Sequence, residues 1–165
     1  MFRKMRRSKQ ELPKDECIRI IESGQTCIMA VQGDDGYPYA VPLNYCCYDG
    51  KIYIHCATEG HKLDGIKRND KVSLCIIDND EIEPELYTDL FCSVIIFGRA
   101  RITENPDEKI KALKNMAQKY CSGHLENLDN EIKTFFDRTA IIEITPEHIT
   151  GKGGMDYLKR KNSQQ

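Results

Sequence analysis

His55-Cys56-Ala57-Thr58-Glu59-Gly60-His61-Lys62 reads as the end of a strand that passes through a glycine into the start of a helix. Upstream, from Lys51 to Ala57, Ile52, Ile54 and Cys56 fall on one face and Tyr53, His55 and Ala57 on the other, the two-residue period of a strand. His55 therefore leaves the apolar face. Downstream, Gly60 to Asn69 turns helical, with Leu63 and Ile66 three apart, and Lys71 to Asp78 returns to strand through Val72, Leu74 and Ile76. The unit is strand, short helix, strand. A helix start offers unpaired backbone N–H groups and the positive end of the helix dipole, so it favours an anion such as a phosphate. His61 and Lys62 add side-chain donors and charge there. Taken on its residues alone, Gly60-His61-Lys62 also reads as an ordinary solvated turn.

Working outward, Pro13 opens a short helix that carries Cys17, Ile18, Ile20 and Ile21 and stops at Gly24. Gln25–Gln32 is rich in Thr, Ile and Val, and Gly33-Asp34-Asp35-Gly36 supplies a tight reversal into a second strand, Tyr37–Cys47. Pro38 and Pro42 remove ladder donors from that strand, which places it at an edge, a bulge or an opening that faces a ligand. Asp78–Asp89 is acidic, contains Pro84 and reads as a surface loop. Leu90–Thr103, centred on Val94-Ile95-Ile96-Phe97, reads as a buried central strand. Asn105-Pro106-Asp107-Glu108 is a helix start with an N-cap, Pro at N1 and a glutamate placed to complete a capping box. Ile110, Leu113, Met116, Ala117 and Tyr120 line one face of that helix. A polar helix over about 126–137 and a last strand from Thr139 to Thr145, ended by Pro146, complete the chain before a basic tail read as mobile from Lys152. Six strands with helices around them predict a mainly β fold, a barrel with helical additions.

The 165 residues suit one domain, and 40% apolar with 30% charged residues is an ordinary globular composition. A net charge of -2 gives the whole molecule no electrostatic reason to seek nucleic acid, and no apolar run reaches the length of a membrane span. The start is basic (Arg3, Lys4, Arg6, Arg7 and Lys9 within residues 1–12) with no apolar run behind it, so a cytoplasmic location is expected. That segment lacks interleaved base-stacking aromatics and reads as solvated or as a clamp for a cofactor. The eight cysteines read as reduced thiols. Six of them lie in strand-like stretches, and the cluster of Cys46, Cys47, His55, Cys56 and His61 places neighbours on opposite strand faces, so no metal site is expected.

Five pieces in order resemble the 5-nitroimidazole-resistance proteins of the pyridoxamine 5'-phosphate oxidase-like split barrels. They are Met1–Arg7, Gly33–Leu43, Gly60–Asp64, Ser93–Arg99 and His148–Lys152. The resemblance spans nearly the whole chain and implies a six-stranded split β-barrel that dimerises, with one FMN in each cleft between subunits. FAD is the second choice. On that resemblance His61 and Lys62, with Gly60, match the group that holds the flavin phosphate. His55, Cys56 and Ala57 match the strand end beside the ribityl chain and ring. Val41, Pro42, Leu43, Asn44 and Tyr45 fall on the strand bordering the isoalloxazine, Asn44 and backbone groups toward its pyrimidine edge, Pro42 and Leu43 over its face. Asn44 also reads as a polar residue next to a turn, and Ile95–Gly98, which matches a strand facing the dimer partner, also reads as core.

His55 is the expected catalytic residue, able to donate a proton or orient a substrate near neutral pH. Its other reading is a structural histidine bonded to the ribityl chain, and whether His55 or His61 is the family's reactive histidine stays open. His124 reads as surface, and His148 has no assigned task. The function implied is an FMN-dependent reductase of small electron-poor substrates such as nitroimidazoles. With no dinucleotide fingerprint in the sequence, NAD(P)H would bind transiently over the flavin. The alternative is a module that binds, stores or senses flavin or haem without turnover.

Overall fold

In the computed structural model, which describes residues 1–163, twelve main elements follow one another. They are α1 (Lys14–Ser23), β1 (Thr26–Gln32), β2 (Pro38–Asn44), β3 (Cys46–Tyr48), β4 (Lys51–Ala57) and α2 (His61–Arg68), followed by β5 (Lys71–Glu83), β6 (Thr88–Ile102), α3 (Pro106–Tyr120), α4 (Leu128–Phe135), β7 (Thr139–Gly153) and α5 (Met155–Asn162). The strands form one antiparallel sheet in the order β2-β1-β5-β6-β7-β4-β3. Asn44 ends one edge strand and Cys46 begins the other, so Tyr45 alone joins the two edges. The sheet must therefore curl until its edges approach each other without pairing, which makes it a split β-barrel.

Seven strands stand where six were expected, because the stretch Tyr37–Cys47 is cut at Tyr45. The Tyr45 side chain is fully buried, its hydroxyl donates to Ile21 O at 2.7 Å, and Tyr120 Oη lies 2.7 Å from its carbonyl oxygen and accepts its N–H at 3.1 Å. With both backbone groups engaged by α3, the residue leaves one ladder and starts the other.

The barrel interior is filled by alternate residues: Cys27, Met29 and Val31 from β1, Val72, Leu74 and Ile76 from β5, Val94 and Ile96 from β6, Ile142 and Ile144 from β7, and Ile52 and Ile54 from β4. Ile20 and Ile21 of α1 and Leu63 and Ile66 of α2 close it. A second cluster lies outside, where Ala112 and Met116 of α3 cover Cys46, Tyr53 and Ile141. α3 starts as expected, with Asn105 Oδ1 accepting from the N–H of Asp107 (2.8 Å) and Glu108 (3.2 Å). Glu108 does not reach back to close a capping box: its carboxylate accepts from Thr103 Oγ1 at 2.5 Å and Arg101 at 2.9 Å.

Three boundaries differ from the sequence reading. The acidic stretch read as a loop extends the β5–β6 hairpin, pairing from Asn79↔Cys92 to Glu83↔Thr88 beyond a bulge after Ile77. β7 runs through Pro146 to Gly153 because a bulge opposite Phe97 and Gly98 absorbs the proline's missing donor. The stretch read as a mobile tail from Lys152 ends β7 and then forms α5, whose Tyr157 and Leu158 pack on the core. Its last two residues, 164–165, lie outside the described residues.

Two stability predictions follow from the packing around α1 and α2. A Cβ on Gly65 would lie 2.7 Å from Gln32 O and 2.8 Å from Val31 Cγ2, so α2 rests on β1 only because that position is bare. Gly65→Ala is expected to cost about 1–3 kcal/mol, seen as a lower urea midpoint at constant m-value; an unmoved midpoint would show that α2 slides freely.

Glu16 ties α1 to α5, 2.7 Å from Arg19 Nη2 and in contact with Lys161 Nζ. The Arg19 guanidinium and the Lys161 ammonium hold its carboxyl down at about 2, from 4.5. Its contribution is full above pH 4.5 and is lost as pH falls toward 2. Glu16→Gln should therefore lower stability by about 1–2 kcal/mol at neutral pH after solvent screening, with the gap from wild type closing in acid melts. A gap independent of pH would remove the ion pair as its cause.

Candidate functional site

Alternation sorts the candidate residues. On β2, Pro38, Ala40, Pro42 and Asn44 face outward and are exposed, while Val41 and Leu43 are half-buried on the barrel side, Leu43 against the core. On β4, His55 and Ala57 face outward, and Cys56 is half-buried inward against the core. The outer surface on the two sides of the split thus presents Pro42, Asn44, His55 and Ala57. Pro42 and Leu43 cannot cover one ring face together, since neighbours on a strand point to opposite sides. Tyr45, expected at the cofactor, has its side chain in the core and its backbone held by Tyr120.

His55 and Asn44 share a depression of about 350 Å³ with Leu113, Met116, Ala117, Tyr120 and Cys121. The α3 wall was missed in the sequence because its apolar spacing is that of any core-facing helix. Asn44 Nδ2 donates to Gln25 O at 3.1 Å, which fixes the amide's orientation. The surrounding protein disfavours the imidazolium, pushing the His55 pKa below its ordinary 6.5. Roomier clefts, about 390 Å³ beside α1 and about 450 Å³ under α5, contain none of the candidate residues.

The start of α2 is bare. Gly60 has φ 133°, a conformation that favours glycine, and a Cβ there would meet open space. No side chain caps the helix; Gly60 O accepts from Leu63 and Asp64, while the N–H groups of His61 and Lys62 precede the first helical acceptor. The His61 ring lies against Tyr39, centroids 4.2 Å apart, and its buried Nε2, 3.4 Å from Asp34 Oδ2, makes no hydrogen bond. Arg68 holds the other Asp34 oxygen at 2.9 Å. His61 is thus turned toward the β1–β2 turn, and Lys62, half-buried, makes no ion pair among the described residues; it sits close enough to Cys56 for its charge to oppose the burial that raises that thiol's pKa.

All eight cysteines are free. Burial pushes Cys46 up to about 11 and Cys27 and Cys47 up to about 12, so these thiols stay protonated and weakly nucleophilic at neutral pH. Among the described residues no group of three or more His, Cys, Asp or Glu is arranged to hold a metal ion, and no helix is long and apolar enough to cross a membrane. His124 is exposed, and His148 stacks on Phe2 at 4.5 Å, far along β7 from β4.

The chain belongs to the pyridoxamine 5'-phosphate oxidase family, whose sequence model matches residues 13–153. Among solved structures it is similar to a candidate 5-nitroimidazole antibiotic resistance protein from Bacteroides thetaiotaomicron, with TM-score 0.74 and 21% identity over 87% of this chain and 86% of that one. It is also similar to the flavocytochrome Anf3 from Azotobacter vinelandii, with TM-score 0.75 and 17% identity over 92% and 72% of the two chains. A third is an FAD-binding protein from Mesorhizobium loti, with TM-score 0.63 and 18% identity over 88% and 97%. At these identities the likeness is one of fold. No curated protein matches the sequence.

Proposed function

We propose that this protein is a flavin-dependent reductase of small electron-poor substrates, of the nitroimidazole type, working as a homodimer with FMN in the cleft between subunits. The observation that carries the reading is the outward row Pro42, Asn44, His55 and Ala57, which flanks the split of the barrel and leads through Gly60 to the bare start of α2. The donor set there suits a phosphorylated flavin: two backbone N–H groups and the Lys62 ammonium for a phosphate, and open space where any side chain on Gly60 would intrude. FMN ends in one such phosphate, and one such anchor is present. The names of the structural relatives, a flavocytochrome and an FAD-binding protein among them, support a flavin and leave FAD as the second choice.

When bound, the flavin supplies the electron transfer, taken from a nicotinamide or another donor and passed to the substrate. The chain's own residues position and protonate. Lys62 and the α2 start hold the phosphate, Asn44 presents an oriented amide, and Pro42 and Ala57 give small apolar ground. His55 stands beside the apolar wall of Leu113, Met116 and Ala117, where a flat substrate can rest against α3 with its polar group toward the imidazole.

The test is the absorption spectrum of freshly purified protein, followed anaerobically by NADH or NADPH and then a nitroimidazole. Flavin bands that bleach with the donor and return with the nitro compound are expected. A flavin spectrum inert to both would replace turnover by flavin binding alone, and no flavin after reconstitution would remove the cofactor.

A further inference from the structure

Two segments carry charge that the fold leaves unanswered. β7 pairs with β6 only from Cys92 onward, and β1 pairs with β5 only over Ser73–Cys75, so residues 79–91 leave the sheet as a two-stranded arm. α5 covers one side of it through Arg160–Glu83 at 2.8 Å, Tyr157–Asp78 at 3.3 Å and Thr88–Asp156 at 3.2 Å. The other side continues the outer face of the sheet and carries Ile77 and Ile82, with Leu86 and Tyr87 at the tip; Ile82 is 72% and Tyr87 98% exposed. A two-stranded ribbon with one face bare is marginal in water, and this one exposes large apolar groups on that face.

Asp80, Glu85 and Asp89 of the arm have no cation within ion-pair distance among the described residues, whereas Glu81 shares the α5 side with Arg160 and Lys161. Arg3, Lys4, Arg6, Arg7 and Lys9 likewise have no carboxylate. The segment that carries these five cations is pinned at one end by Phe2, stacked on Phe97 at 5.6 Å and His148 at 4.5 Å, and at the other by Leu12 N–H donating to Gly151 O at 2.9 Å. One chain thus presents an acidic arm with an apolar tip and a basic segment anchored on an aromatic stack, and it pairs neither with the other.

We propose that the arm of each chain clasps the N-terminal segment of a second copy of this chain. A two-fold arrangement forms the contact twice, residue i meeting j and j meeting i, so both sets of charge are answered at once. The carboxylates of the arm meet the cations of the partner, and Leu86 and Tyr87 lie toward the Phe2 stack. The inference rests on the homodimer proposed above and names the device that sets its partner and register.

The test mixes unlabelled and 15N-labelled full-length protein, treats it with a zero-length carbodiimide, and reads the cross-linked peptides by mass spectrometry beside sedimentation equilibrium. Mixed-label links from Lys4 or Lys9 to carboxylates of residues 80–89 are expected. The charge reversal K4E/R6E/R7E should raise the dimer dissociation constant roughly tenfold or more, and adding D80K/E85K/D89K should restore it. All these side chains are on the surface, so folding is not at stake. A dimer with links only within one chain, or unmoved by reversal, would overturn the clasp and leave the homodimer standing. A chain that sediments as a monomer would remove both, and affinity for a nucleic-acid probe lost on the same reversal, without change in dimerisation, would give the basic segment to that partner instead.

Discussion

His55→Ala is expected to lower turnover of a nitroaromatic substrate by about 10²- to 10⁴-fold, the usual share of a positioned acid or base, while flavin content and flavin affinity stay as in the wild type. The side chain stands at the outer surface of β4, with α3 and not the barrel interior as its neighbour, so its removal leaves no hole in the core. Its pH dependence has a definite sign. Partial desolvation by the surrounding protein lowers the pKa below 6.5, so the protonated, donating form is lost as pH rises through that lowered value, and wild-type turnover should decline with pH there. The variant should show no such limb. Flavin lost along with activity would make His55 a ligand of the cofactor and sink the catalytic role.

Lys62→Ala carries the second large effect, a weakening of FMN binding by about tenfold to a hundredfold, the range of one partly solvated charge-assisted hydrogen bond. Titration with riboflavin, which has no phosphate, separates a clamp from general damage: its affinity should not change. His61→Ala should do less, because that ring packs on Tyr39 and is turned toward Asp34. Equal losses for FMN and riboflavin would move the phosphate away from the start of α2.

The sequence marks the strands with strict alternation and a clear end, such as Lys51–Ala57, and helix starts with a strong cap, such as Asn105, because short-range chemistry decides both. It does not mark the break at Tyr45, which depends on a hydroxyl from Tyr120, 75 residues away. The arm at 79–91 was hidden by its acidity, which reads as loop when ladder partners are unknown, and Pro146 read as a stop because the bulge opposite Gly98 is a property of two strands. At the site, alternation alone separates Pro42 from Leu43 and His55 from Cys56. The turning of His61 toward Asp34 and the wall of α3 required the tertiary structure, since both join residues from elements with no shared periodicity.

β2 forms one free edge of the sheet, and its prolines give that edge a further property. A proline is tolerated in a strand where its nitrogen faces away from the neighbouring ladder, so by alternation the backbone nitrogens of Pro38, Ala40, Pro42 and Asn44 point to the open side. Two of those four positions have no hydrogen to offer. An unfolding intermediate or a misfolded neighbour that tried to add a strand there would find the row of donors interrupted at every second place. The free edge beside the split is thereby a poor template for an added strand, and the two prolines that interrupt its donors protect it against edge-to-edge pairing.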